Sequence, residues 1–310
     1  MTHRYLLLLL LLCQAILTPT LLHAKNYANT LYPMVLVGGS FINFDHLGPI
    51  DFFYKIPSAL RKEGADVFVS TVSAVNSPEV RGEQLARQVE DILALTGKEK
   101  VNLLSISSGG LTSRYTASVY PQHIASVTTI NAGHAGANVA DVAVGLIDSL
   151  PPSLEDSLWN LGDIITTLIA FIAGDSLPMD TQALAYSHTN EGAADFSRRH
   201  PEGMPTEYCG QAKTDIANNG VRYFAFAGSH HFTHWLDPGD YIFSLTQLLV
   251  GEPGDGVFGR CSSHWGTTIR DDLYLNHLDE ANHLFGLRSP RLDPIALFLN
   301  QANRLKQLDL

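Results

Sequence analysis

The stretch from Val101 to Gly110 constrains this chain more than any other. The apolar run Val101-Asn102-Leu103-Leu104-Ser105-Ile106 breaks into Ser107-Ser108-Gly109-Gly110, after which Leu111, Tyr115 and Val119 recur at the spacing of one helix face. That pattern predicts a strand, a sharp turn and a helix. A serine at such a corner is lifted clear of the sheet, and the positions two before and two after it must be small because strand and helix crowd there. Here they are Ser105 and Gly109, with serine standing where glycine is usual. The pattern makes Ser107 a candidate nucleophile, although a plain serine-rich turn fits the local residues equally well. The rest of the chain has to decide.

Buried-strand runs recur on both sides of this corner. Tyr32-Pro33-Met34-Val35-Leu36-Val37 opens into Gly38-Gly39-Ser40-Phe41, a short helix begins at Ile56, and a second strand runs from Asp66 to Thr71. Ser77-Pro78 starts a long helix with a stripe of Leu85, Val89, Ile92 and Leu93, and Gly97 stops it. Further strands are expected at Ala125 to Ile130 and, after an Asn219-Gly220 turn, at Val221 to Ala227. Strands alternating with helices describe an α/β fold, a mostly parallel sheet covered on both faces, with its site at the carboxyl ends of the strands. Residues 138–174 interrupt this rhythm with dense apolar helices around Pro151-Pro152. They read either as an extra core layer or as a lid over the site, and their place after the core strand that follows the corner favours the lid.

Residues 1–24 read as a signal peptide: Arg4 precedes an apolar run from Leu6 to Leu12, and Leu22-His23-Ala24 offers a cleavage site. The run is too short to span a bilayer. The domain proper is then residues 25–310, exported and secreted. Only Cys209 and Cys261 remain after cleavage, and an oxidising compartment favours their pairing. The chain has 20 basic and 31 acidic residues, a formal charge of −11. This balance argues against nucleic acid and against an electrostatic grip on anionic lipid.

Beyond the corner, Asp255 lies in a glycine loop between Gly254 and Gly259, and His277 lies in Leu275-Asn276-His277-Leu278-Asp279. The chain order Ser107, Asp255, His277 is that of the α/β-hydrolases. The chemistry needs each member: the imidazole takes the serine proton, and the carboxylate sets the imidazole tautomer and stabilises its charge. His230, His231 and His234 lie close together without a cysteine and read as loop residues rather than a zinc site. His134 and His264 read as structural hydrogen-bonders, since a triad needs one histidine.

The chain resembles the foldase-dependent secreted triacylglycerol lipases of Gram-negative bacteria. The resemblance is carried by Tyr32 to Val37, by Ile56-Pro57-Ser58-Ala59-Leu60-Arg61 and by Glu79-Val80-Arg81-Gly82-Glu83-Gln84-Leu85. It is strongest in Asp255-Gly256-Val257-Phe258-Gly259-Arg260-Cys261-Ser262-Ser263-His264 and in Asn276-His277-Leu278-Asp279-Glu280. It implies an α/β-hydrolase fold with a helical lid and hydrolysis of acylglycerol esters through an acyl-serine intermediate. It also implies catalytic roles for Ser107, Asp255 and His277, with an oxyanion hole made by the backbone N–H groups of Ser40 and Ser108. Cys209 and Cys261 match the family's disulfide. Asp237 and Asp279, with the main-chain carbonyls of His283 and Leu287, match a site for one structural calcium ion. The implied partners are a lipid or ester substrate at an oil–water interface and a periplasmic foldase. Short-chain esters, phospholipid or polyester are alternative substrates, and a non-catalytic lipid-binding role is the alternative class.

Family members carry His-Gly at the oxyanion strand end and Gly-His-Ser-His-Gly at the corner, where this chain has Gly38-Gly39 and Ser105-Ile106-Ser107-Ser108-Gly109. Three histidines near the site are replaced, which predicts a less firmly held oxyanion loop.

Overall fold

The computed structural model describes residues 26–41, 46–47, 50–172, 176–214 and 216–310. The expected signal peptide lies outside these residues. Six strands form one sheet: β1 (Met34–Val37), β2 (Val67–Val69), β3 (Val101–Ile106), β4 (Ile124–Ile130), β5 (Arg222–Gly228) and β6 (Thr267–Leu273). Their spatial order is β2-β1-β3-β4-β5-β6, and every neighbouring pair is parallel. The strand carrying the sharp corner, β3, is therefore central, with β1 aligned on one side (Leu36 beside Leu104) and β4 on the other (Ile106 beside Ile130).

Alternate side chains along each strand feed two cores, as the two-residue period requires. Met34, Leu36, Leu104, Ile106, Phe224 and Phe226 face one side, where they meet helices α1 (Ile56–Lys62) and α9 (Pro294–Gln307) through Ile56, Leu60, Phe298 and Leu305. Val35, Val37, Leu103, Val127, Tyr223 and Trp265 face the other, against Leu85 and Val89 of α2 (Pro78–Thr96) and Ala117 of α3 (Gly109–Val119). Each such side chain contributes about 1.5–3 kcal/mol of burial. The caps read from sequence hold: Ser77 Oγ accepts from Val80 N–H at 3.3 Å, and Gly97 ends α2 at φ 67°.

Strand β6 was not among the strands legible from sequence. Its residues include Arg270, Asp271 and Asp272, and among the described residues it pairs with β5 alone. An edge strand keeps charge on its open side, where Arg270 pairs with Asp272 at 2.8 Å, and so it lacks an apolar signature.

The interruption after β4 is helical, as expected: α4 (Asn138–Asp148) and α5 (Pro152–Ile172), followed by α6 (Thr181–Ser187) and α7 (Asn190–Arg199). Helix α4 has no buried residue, and α5 buries Trp159, Thr166 and Ala170 while Leu161, Ile164, Ile165, Leu168 and Phe171 stay exposed. Helix α8 (Pro238–Val250) packs against α4, and Asn138 Nδ2 donates to Val250 O at 3.0 Å. Among the described residues no helix is long and apolar enough to cross a membrane.

Candidate active site

Ser107 follows the last residue of β3 in a left-handed conformation, φ 55°, which a serine adopts only where its surroundings hold it. Its N–H donates to Ile130 O at 3.1 Å and its carbonyl accepts from Gly110 N–H at 2.9 Å, so both neighbouring elements grip the turn. The crowding foreseen at Gly109 is real: a Cβ there would lie 2.5 Å from Val37 O and 2.6 Å from Gly38 O. Gly39 is equally constrained, since a Cβ would stand 2.9 Å from Ser107 Cβ. Ser105 is tolerated because its buried hydroxyl bonds Ser113 Oγ at 2.5 Å across the strand-helix corner.

Three residues far apart in sequence meet here. His277 Nε2 lies 3.0 Å from Ser107 Oγ, and its Nδ1 lies 2.6 Å from Asp255 Oδ2. With Nδ1 donating to the carboxylate, Nε2 is left as the acceptor facing the serine. Asp255 is fully buried, and its other oxygen accepts from Val257 N–H (2.8 Å) and Phe258 N–H (2.7 Å). These donors satisfy the carboxylate and fix its direction. The loop carrying the histidine is tied to the one carrying the acid by His277 N–H donating to Asp255 O at 3.1 Å.

Two residues beyond the sequence reading complete this group. Asn131, at φ 41°, accepts from Gly228 N–H at 3.1 Å and donates through Nδ2 to Asp255 Oδ2 at 2.9 Å and to Glu280 Oε1. Burial first, and the Asp255 charge second, push the Glu280 carboxyl well above the usual carboxylate range. Both causes favour the neutral form of Glu280, which adds no second charge beside the histidine. Asp255, His277 and Glu280 bring candidate ligand atoms within 4.8 Å of one another. Cys209, Cys261 and His264 do the same, but the two sulfurs are joined as a disulfide.

Ser40 and Ser108, the expected oxyanion donors, approach each other: their hydroxyls are hydrogen-bonded. Both lie against Arg81, a buried arginine on α2. Its Nη1 donates to Ser108 Oγ at 2.6 Å and Ser40 Oγ at 3.4 Å, and its Nη2 donates to the carbonyls of Gly38 (3.1 Å) and Gly39 (2.9 Å). Burial lowers its pKa to about 9, so it stays charged at neutral pH. In a chain with Gly38 and Ser108 where family members carry histidines, this guanidinium and the two hydroxyls tie the loop to the corner. An arginine four residues before Leu85, on the apolar stripe of α2, was the available signal.

A second acidic group lies behind the histidine loop. Asp237 caps α8, accepting from Gly239 N–H at 2.7 Å, and is buried together with Asp240 and Asp279. Their described donors are neutral: Asn276 Nδ2 reaches Asp240 Oδ1 (2.5 Å) and Asp237 Oδ2 (3.3 Å), and Thr233 Oγ1 reaches Asp279 Oδ2 (2.7 Å). Among the described residues Asp279 Oδ1 is buried without a hydrogen-bond partner. Burial pushes Asp279 up to about 6 and raises Asp237, to which Asp240 adds its charge. All three carboxylates bond Asn276, Asp237 and Asp240 at its side-chain amide and Asp279 at its backbone N–H (3.3 Å), and an all-oxygen set with an orphaned buried oxygen fits a hard divalent cation. His283 donates its N–H to Leu278 O at 3.1 Å, and Leu287 follows the single turn His283–Gly286. Asp240 was not foreseen, since an Asp three residues into a helix reads as surface.

The remaining sequence candidates have other duties. His134 stacks on Trp265 and bonds Thr129 Oγ1, His264 bridges Gly210 O and Asp271, and the His230 ring lies on Tyr274.

Comparison with known proteins gives this geometry a family. Residues 33–188 match the family model described as alpha/beta hydrolase fold. The chain is 44% identical over 290 residues to a triacylglycerol lipase of Vibrio cholerae, covering 93% of this chain and 92% of that protein. The chain belongs to the lipase family of α/β-hydrolases. A triacylglycerol lipase of Pseudomonas fragi is 34% identical over 295 residues, covering 91% of this chain and 98% of its own length. Among solved structures, the mature Bacillus licheniformis lipase BlEst2 superposes with a TM-score of 0.59 at 18% identity, covering 89% of this chain and 92% of that one. Staphylococcus hyicus lipase follows at a TM-score of 0.57 and 16% identity, with 93% and 96% covered. At those identities the likeness concerns the fold alone. As a member of this family the enzyme is an ester hydrolase.

Proposed function

We propose that this lipase is secreted and cleaves the ester bonds of triacylglycerols by the nucleophilic mechanism of Ser107. His277 Nε2 takes the Ser107 proton as Oγ attacks the ester carbonyl carbon, and Asp255 stabilises the imidazolium formed. The backbone N–H groups of Ser40 and Ser108 receive the oxyanion. Collapse of the tetrahedral intermediate breaks the ester C–O bond, and the imidazolium protonates the departing alcohol. Water, deprotonated by the same nitrogen, then releases the fatty acid from Ser107. The observation that carries this reading is the Ser107–His277–Asp255 relay, with its 3.0 and 2.6 Å links.

Residues 138–174 act as the lid, a reading supported by the lack of buried residues in α4 and the one-sided burial of α5. One structural calcium ion is held by Asp237 and Asp279 with the main-chain carbonyls of His283 and Leu287. It neutralises carboxylates that no described arginine or lysine pairs, and it pins the histidine loop to the start of α8. Export follows from residues 1–24, and a periplasmic foldase assists folding.

The test is hydrolysis of a chain-length series of esters by the wild type and by Ser107→Ala, with circular dichroism verifying the fold. Turnover of long-chain glycerides that Ser107→Ala lowers by several orders of magnitude supports the reading. Undiminished hydrolysis by a folded Ser107→Ala protein overturns it, and activity confined to short esters replaces lipase by esterase.

A further inference from the structure

At the sheet edge, a cavity of about 390 Å³ opens between β6 and α9, a size within the range of small-molecule sites, about 300–1,000 Å³. None of its lining residues belongs to the triad, the oxyanion loop or the acidic group around Asp237. Phe226, Leu273 and Gln301 are buried in its floor, and Ile269, Leu292 and Leu297 form partly buried walls. Five of these six side chains are apolar, so the interior suits hydrocarbon.

Its rim is cationic. Arg270, Arg291 and Arg304 are exposed around the mouth. Arg270 pairs with Asp272 at 2.8 Å, and the Arg291 guanidinium lies over the Tyr274 ring at 4.4 Å. The carboxylate at the rim, Asp293, is already engaged: it caps α9 by accepting from Ile295 N–H at 2.9 Å and pairs with Arg288 at 3.1 Å. Of the three rim arginines, Arg304 is left with neither a carboxylate nor a ring among the described residues, in a chain of formal charge −11.

The floor beside Arg304 holds an unpaired polar atom. Leu297, Gln301 and Arg304 follow one another along one face of α9 at helical spacing. Gln301 is 2% exposed; its Nε2 donates to Thr128 Oγ1 at 2.8 Å, and its Oε1 has no partner among the described residues. A threonine hydroxyl donates as well as accepts, so the amide can turn over, keep Thr128 through Oε1 and present Nε2–H to the cavity. A carboxylate seated there accepts from Gln301 and from the Arg304 fork together. A phosphate monoester would bring close to two charges against one free guanidinium.

We propose that this cavity is a second site that holds one long-chain fatty acid, with its carboxylate between Gln301 and Arg304 and its chain along Leu297, Ile269 and Leu292. The chemistry of the ligand follows from the cavity. Its source, the acid that the enzyme itself releases, rests on the lipase reading of the Ser107 site.

The test is equilibrium dialysis of the full chain against radiolabelled laurate below its micelle concentration, at about pH 8, where the carboxylic acid is ionised and arginine is charged. Ser107 is first blocked with a p-nitrophenyl hexylphosphonate, which esterifies Oγ and releases p-nitrophenol, so that the alkyl group occupies the catalytic cleft. The blocked protein should retain one equivalent of laurate and bind dodecanol and acetate at least tenfold more weakly, since one lacks the charge and the other the chain. Arg304→Leu should weaken laurate about tenfold, as loss of a charged hydrogen bond does. Ala296→Trp, at an exposed position on the mouth, should abolish retention by filling the entrance. Both changes lie at the surface, and unaltered melting temperatures verify the fold. No retention by the blocked wild type overturns the proposal, as does undiminished retention by either folded variant or dodecanol binding equal to laurate. Failure of the phosphonate to attach, read by mass spectrometry, refutes the Ser107 reading instead and leaves the comparison between wild type and the two variants to decide the cavity.

Discussion

Arg81 donates to Ser108 Oγ at 2.6 Å from a position wholly inside the protein. The same guanidinium holds the carbonyls of Gly38 and Gly39, so one side chain spans the loop and the corner that face each other across Ser107. An arginine fork suits this bridging, whereas an ammonium cannot reach both sides at once. Arg81→Met should lower kcat by about 10²–10³ with little change in KM, as loss of oxyanion alignment does. Arg81→Lys should recover only part of it. Steady-state kinetics decide the matter; a rise in KM at constant kcat would refute a positioning role.

Calcium should raise the melting temperature of the wild type, by about 2.7 kcal/mol of stability at a hundredfold excess over Kd. Asp279→Asn and Asp237→Ala should abolish that rise. Scanning fluorimetry with and without chelator, alongside metal analysis, provides the check. Identical curves after verified metal removal would remove calcium from the enzyme and leave the triad untouched.

Acid should weaken the fold through His188. This buried ring is neutral at pH 7, its pKa lowered to about 4 chiefly by burial, with Nε2 lacking a partner among the described residues. A histidine whose folded pKa lies below its unfolded value binds protons more readily when unfolded, so stability is full above about pH 6.5 and falls as pH drops toward 4. The loss from this group reaches about 3 kcal/mol at pH 4. His188→Gln should flatten urea-measured stability across that window. A slope equal to the wild type's would clear His188 of the effect.

Hydrolysis rate should jump as an ester passes its solubility limit, because the apolar faces of α4 and α5 meet lipid only when a droplet exists. A smooth saturation curve through that limit would count against a mobile lid.

Gly39→Ala should slow turnover by misplacing the nucleophile, since the new Cβ would stand 2.9 Å from Ser107 Cβ. Crystallographic displacement of Ser107 with a comparable melting temperature is the expected signature. Unchanged kcat would mean that the loop yields freely.

What the chain determined by itself was local. The corner at Ser107, the Ser77 cap, the Gly97 stop and the alternation of Met34, Val35, Leu36 and Val37 act through neighbouring residues, whose sterics and burial are written in short runs of sequence. The order Ser107, Asp255, His277 and the family resemblance extended that reading to the site. Tertiary structure alone decided which distant polar groups share a buried volume. Asn131 reaches Asp255 and Glu280, Arg81 ties Gly38 and Gly39 to Ser108, Asp240 joins Asp237 at Asn276, and β6 becomes an edge strand because, among the described residues, it pairs with β5 alone. A buried polar atom must find its partner wherever the folded chain brings one, and sequence separation carries no record of that meeting.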